Sequence, residues 1–196
     1  MPVLSELVLR QAQDERVEGC RPDLGTHMTV VFKGRVFAVE VDKRRFPNGR
    51  EHDVAIVRHA PSVVLIPIDA DGRVILVKQY RAPIDRVTWE LPAGSIDVGE
   101  AAEAAAAREC EEEIGLVPGT IERLGSWYPT PGYCDEEMIF FKLSALHVPA
   151  PDSPHKPDED EDIETQAVTV DDVRAMVRRR DIVDLKTAFA LTLIRA

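Results

Sequence analysis

The stretch Ser62 to Ile68, "SVVLIPI", is apolar at almost every position, and the run "VILV" follows within a few residues. A strand with one wet face alternates apolar and polar side chains; an unbroken run asks for cover on both faces. A chain built around it must place layers above and below a sheet. The turn signal Asp71-Gly72 lies between the two runs and predicts a β-hairpin across "APSVVLIPIDADGRVILVKQYR".

On the N-terminal side, "THMTVVFKGRVFAVEVDKRRF" holds two β-rich runs hinged at Lys33-Gly34, and "REHDVAIVRH" offers a third after the turn "PNG". Together they predict a small antiparallel three-stranded unit. From Gly99 to Ile114 neither proline nor glycine intervenes, alanine dominates, and Gly115 supplies a stop, so a helix is expected there. Strands resume at "TIERLGSWYP" and "EMIFFKLSAL", divided by the proline-marked loop "YPTPGYCDEE". The segment "HVPAPDSPHKPDEDEDIE" is proline-rich and acidic, which predicts a long, exposed, mobile loop before a strand at "TQAVTV" and helices from about Asp171 and Leu185. Strands, helix, strands, helices, with no internal repeat, make an α+β protein: a mixed sheet with helices on its faces, preceded by a small antiparallel β-domain. The expected division is residues 1–58 and 59–196.

The predicted helix ends on "RECEEEIG", with four glutamates in the five positions 109 to 113. At roughly 100° per residue, Glu109, Glu112 and Glu113 share one face and Glu111 points elsewhere. Like charges at these spacings cost about 0.2–0.5 kcal/mol per pair, and negative charge in a last helical turn opposes the macrodipole. Arg108 can offset part of this through Glu112, four residues on, but one cation does not neutralise three carboxylates. A hard divalent cation would, since such ions take oxygen ligands and keep further positions for water and phosphate.

Gly94, Glu100, Arg108, Glu109, Glu112, Glu113 and Gly115 fall in a fixed pattern within "GSIDVGEAAEAAAARECEEEIGL". This segment resembles the Nudix box, departing from it only at Cys110, where the family carries an aliphatic residue. A buried cysteine packs as a small hydrophobe, so the departure bears on packing rather than chemistry. The resemblance implies a Nudix-type α/β/α sandwich and metal-dependent hydrolysis of a nucleoside diphosphate linked to another moiety, with Mg²⁺ as cofactor and Mn²⁺ as an alternative. It implies Glu109, Glu113 and the Ala93 carbonyl as metal ligands and Glu112 as a further or water-bridged one. Arg108 and Glu100 would orient the carboxylates, which places Arg108 and Glu112 in the catalytic set. A glutamate of the acidic loop would serve as base, Glu159 first and Glu161 second.

Outside the box, Pro131 and the segments "RHAPSVVLIPI" and "VKQYRAPIDRVTWELPAG" are similar to the family's ADP-ribose pyrophosphatase branch. That branch implies AMP and ribose 5-phosphate as products, with another nucleoside diphosphate sugar as the alternative substrate and a non-catalytic ADP-ribose sensor as a remoter one. It also implies a homodimer whose N-terminal β-domains are exchanged. Arg81 is then expected at phosphate or the terminal ribose and Glu136 at the substrate from the proline loop, with Arg58 and Pro131 among the substrate-binding positions. Arg178, Arg179 and Arg180 read as a helix end favourable to the macrodipole.

The net charge of −11 repels nucleic-acid backbones and anionic membranes, so neither is an expected partner. Cys20, Cys110 and Cys134 are too few and scattered for a disulfide framework. With no signal-like N-terminus and no run of about 20 apolar residues, a cytoplasmic location is expected.

Overall fold

The computed structural model describes residues 29–155 and 164–194. These fall into two compact units, residues 29–60 with 130–136, and the remainder.

In the first unit, β1 (Thr29–Lys33), β2 (Phe37–Arg45) and β3 (Glu51–His59) form an antiparallel sheet in the order β1-β2-β3. Both predicted turns are present. Gly34 N–H donates to the Phe37 carbonyl, and Gly49 adopts φ 79° with its N–H on the Phe46 carbonyl. The proline-marked loop belongs to this unit: Val57 N–H donates to Tyr133 O at 2.7 Å, and Asp135 N–H to Val57 O at 3.2 Å.

The second unit is built on a mixed sheet ordered β7-β4-β9-β8, from β4 (Ser62–Pro67), β7 (Ala93–Ser95), β8 (Val117–Trp127) and β9 (Met138–His147). Strand β4 runs parallel to β9 and antiparallel to β7. A second, antiparallel sheet has the order β10-β5-β6, from β5 (Val74–Arg81), β6 (Arg86–Glu90) and β10 (Glu164–Val168). The helices are α1 (Ala102–Ile114), α2 (Val170–Arg179) and α3 (Leu185–Ala190).

Every residue of β4 is buried, and its alternation explains the unbroken run. Val63 and Leu65 pack with Ala105, Ala106 and Cys110 of α1 and with Phe141. Val64 and Ile66 pack on the other side with Leu76, Phe140, Val173 of α2 and Ala190 of α3. Successive side chains of a strand point to opposite faces, so one run feeds two cores. Cys110 is fully buried in the α1 core, and burial pushes its thiol up to about 12, which makes it an inert packing group.

The hairpin expected across Asp71-Gly72 is only half present. The chain reverses there, with Gly72 N–H on Asp69 O and the Asp69 carboxylate accepting from the N–H groups of Asp71 and Arg73. Beyond the single bridge Ile68–Val74, however, β4 and β5 enter different sheets. The reason is competition for edges: β4 is already flanked by β7 and β9, and Ile68 N–H donates to Leu143 of β9.

Helix ends follow their local chemistry. Gly115 closes α1 at φ 69° with its N–H on Glu111 O, a conformation that favours glycine. Thr169 and Asp184 cap α2 and α3 with their side chains. Arg178 and Arg179 occupy the last turn of α2, and Arg180 is its left-handed cap. Among the described residues no helix is long and apolar enough to cross a membrane.

Candidate active site

Strand β7 and the loop after it deliver the chain into α1, and both are pinned from behind. Ala93 and Gly94 pair with Val64 and Val63 of β4, Pro92 O accepts from Leu65 N–H, and Ile96 N–H donates to Pro61 O. Residues at this edge therefore face α1 across a fixed distance.

Arg108 organises what lies between. Its Nε and Nη2 reach Glu100 at 3.0 Å each, Nη1 donates to Glu109 at 2.7 Å and to Glu112 at 2.9 Å, and Nη2 also meets the Ser95 carbonyl at 3.0 Å. One guanidinium thus ties the entering loop, β7 and two carboxylates of the helix into one unit. Its bond to Glu100, then those to Glu109 and Glu112, raise its pKa further, and the same bond holds Glu100 below the ordinary carboxylate range.

Glu109 differs. Burial raises its pKa, and the pairing with Arg108 does not fully offset this. Its carboxylate lies against Gly94, where an added Cβ would stand 1.9 Å from Cδ and 2.0 and 2.2 Å from the two oxygens. Only glycine leaves room for the carboxylate there. Glu113 accepts the Ala93 N–H at 3.2 Å. Glu111, as its position on the helix predicts, is not part of this face; it is buried, with Oε1 unpartnered among the described residues.

A raised carboxylate pKa has a definite sign. The folded state holds the Glu109 proton more tightly than the unfolded chain, so stability falls as pH rises from about 4 through the raised folded value. Glu109→Gln, which mimics the neutral form, is therefore expected to melt above the wild type at pH 8 in the presence of a chelator, with the gap closing toward pH 4. Calorimetry at several pH values reads this directly. A wild type that melts higher at pH 8 would contradict it.

The structure brings Ala93, Arg108, Glu109, Glu112 and Glu113 together. Arg81 is not bonded to any of them; Glu90 first, then the Asp184 and Glu113 charges, raise its pKa. Its main partner is Glu90, which it grips with Nε at 2.9 Å and Nη2 at 2.6 Å. Arg58, Pro131 and Glu136 belong to the N-terminal unit. There Arg58 bonds Glu40 at 2.7 Å and Asp135 at 2.8 Å, and Glu136 stands 3.8 Å from His59. Glu159 and Glu161 lie outside the described residues.

Three neighbours of the site were not anticipated from sequence. His155 Nδ1 is 3.7 Å from Glu112. Glu90 is buried at the end of β6, and Lys186 of α3 reaches it at 2.6 Å. Nothing local in the sequence joins the last two: Glu90 shares the buried face of β6 with Thr88, and Lys186 lies one helical turn before buried Ala190, 96 residues from Glu90.

Residues 58–186 match the NUDIX domain. The chain is 35% identical over 161 residues to a Bacillus subtilis protein named ADP-ribose pyrophosphatase, covering 82% of this chain and 86% of that one. It is 33% identical, with the same coverage, to a Bacillus methanolicus protein named methanol dehydrogenase activator. A crystal structure titled ADP compounds hydrolase superposes with a TM-score of 0.71 at 24% identity, covering 87% of this chain and 89% of the other. The Arg108-centred helix thus lies inside a matched domain that spans most of the chain, and the chain belongs to the NUDIX domain family.

Proposed function

We propose that the protein hydrolyses the pyrophosphate bond of ADP-ribose to AMP and ribose 5-phosphate, using a divalent metal, Mg²⁺ by preference. The observation that carries this reading is the carboxylate array that Arg108 gathers on α1 beside β7. The Bacillus subtilis relative's name supports the substrate.

The donor set suits a hard cation. Glu109, Glu112 and Glu113 are all oxygen donors, Gly94 leaves space against Glu109, and burial makes an uncompensated Glu109 charge costly. Among the described residues no ready cage of three acidic, histidine or cysteine side chains exists. Arg108 takes one oxygen from each of Glu109 and Glu112, and the second Glu112 oxygen faces His155 at 3.7 Å. Glu109, Glu113 and the Ala93 carbonyl would hold the metal, with Glu112 as the additional ligand. Bound there, it supplies charge neutralisation at the phosphoryl oxygens and lowers the pKa of water.

The chain's own groups do the remainder. Arg81 binds a phosphate or the terminal ribose. Glu159, or in its place Glu161, accepts the proton of the attacking water as its oxygen bonds to phosphorus and the bond to the bridging oxygen breaks. Arg58, Pro131 and Glu136 bind substrate. Exposed Phe32, Val36, Phe37 and Phe46 in the N-terminal unit support a homodimer, which light scattering in solution would read as twice the chain mass. The free Cys110 and Cys134 are consistent with a reducing, cytoplasmic location.

The test is hydrolysis of ADP-ribose, ADP-glucose, UDP-glucose and GDP-mannose at equal concentration with Mg²⁺, products resolved by ³¹P NMR. Metal-dependent AMP release fastest on ADP-ribose is expected; a faster rate on another sugar nucleotide removes ADP-ribose, and no hydrolysis removes the reading altogether. Glu159→Gln should lower turnover by about 10²-fold or more with the metal dependence unchanged. An unaffected rate passes the base role to Glu161.

A further inference from the structure

The polar cluster behind Arg81 is larger than the proposed reaction requires. Glu90 is 2% exposed, and its Oε2 accepts both from Arg81 Nη2 and from Lys186 Nζ, each at 2.6 Å. The Lys186 side chain is 6% exposed and also meets Asp184 at 3.0 Å. Arg81, 45% exposed, is the member that reaches furthest into solvent.

Burying an ammonium and a carboxylate is expensive, and replacing the whole set by well-packed apolar residues is often neutral or stabilising. The arrangement makes sense through what it does to Arg81. Held by Arg81 alone, the Glu90 carboxylate would have one fixed point. Lys186, itself balanced by Asp184, leaves the four charges summing to zero and gives Glu90 a second fixed point, so the carboxylate, and through it the Arg81 guanidinium, is held in place. Burial opposes the Glu90 charge, yet Arg81 and Lys186 together hold its pKa below the ordinary range, so the carboxylate stays ionised and grips the guanidinium.

The same helix turn fixes the approach to α1. Thr187 Oγ1 accepts the Leu91 N–H at 2.8 Å, and Asp184 accepts from both the N–H and the hydroxyl of Thr187, at 2.9 and 2.5 Å. Leu91 precedes Pro92, whose carbonyl is tied to β4. The start of α3 therefore holds Arg81 through Glu90 and holds the β7 approach through Leu91.

We infer that Lys186 is a positioning residue for anion binding: through the shared Glu90 carboxylate it sets the placement of the Arg81 guanidinium. This rests on the proposed reading of Arg81 as a phosphate ligand. It predicts that Lys186 affects phosphate affinity only by way of Arg81.

The test is a double-mutant cycle with Arg81→Gln and Lys186→Met, read in two ways. One is kcat and KM on whichever nucleotide of the panel the wild type cleaves fastest; the other is the affinity of inorganic pyrophosphate by calorimetry with Mg²⁺, which needs no turnover. Each single change is expected to weaken pyrophosphate binding and raise KM by about tenfold, with kcat lowered less. The double variant should be no worse than Arg81→Gln alone, and Lys186→Arg should recover most of the loss. An unchanged Lys186→Met, or losses that multiply in the double variant, overturns the inference. If Lys186→Met does not fold, Lys186→Gln, which removes the charge but keeps a donor and a similar stem, takes its place in the cycle with the same criteria. Wild type that cleaves nothing in the panel refutes the proposed substrates, while the pyrophosphate cycle still decides the role of Lys186.

Discussion

Gly94→Ala is expected to cost about 10²-fold or more in kcat/KM while the protein remains folded. The added methyl would stand 1.9 Å from Glu109 Cδ, well inside contact distance, so the carboxylate must move. It has few places to go. Glu109 is buried, its oxygen is bonded by Arg108 at 2.7 Å, and Arg108 is itself anchored to Glu100 and Ser95. Gly94 is held too, since its edge strand β7 is paired there with Val63 of β4. The strain is expected as about 1–3 kcal/mol of lost stability, visible as a lower melting temperature, and as a displaced ligand visible in the rate. Steady-state kinetics beside a thermal melt separate the two. Wild-type kcat/KM in Gly94→Ala would mean that the Glu109 position is not needed for turnover.

Much of this was open to reading from the chain itself, for reasons that differ from residue to residue. The α1 segment announces itself twice, through alanine-rich continuity ended by Gly115 and through carboxylates at spacings whose mutual repulsion asks for a shared positive charge. Strand β4 is legible because no one-faced strand needs six consecutive buried residues. What escaped depends on contacts distant in sequence. The turn at Asp71-Gly72 exists, but whether the flanking strands pair is decided by β7 and β9, which compete for the edges of β4. Arg81 reads equally well as a surface pair or a ligand until its carboxylate partner is found buried. Lys186 lies 96 residues from Glu90, and no local pattern joins them. The local box was therefore readable, and its support from β6 and α3 was not.

Glu113→Gln should remove about 10²-fold or more of the activity and leave the fold unchanged, and the contrast between those results gives it force. Gln has the same shape, and its carbonyl oxygen can still accept the Ala93 N–H that Glu113 accepts at 3.2 Å. What disappears is one negative charge and its competence as a hard-cation ligand. Two readouts follow. Mg²⁺ should be needed at much higher concentration to reach half-maximal rate. The metal should also stabilise the wild type, since a ligand at 100 times its Kd contributes about 2.7 kcal/mol, or roughly 5–10 °C in melting temperature for a chain of this size. Glu113→Gln should lose most of that increment without losing its metal-free melting temperature. A variant that keeps both rate and increment would take Glu113 out of the ligand set. A variant that loses the rate but keeps the increment would place the residue at the substrate, on the Arg81 side of the site, rather than at the cation.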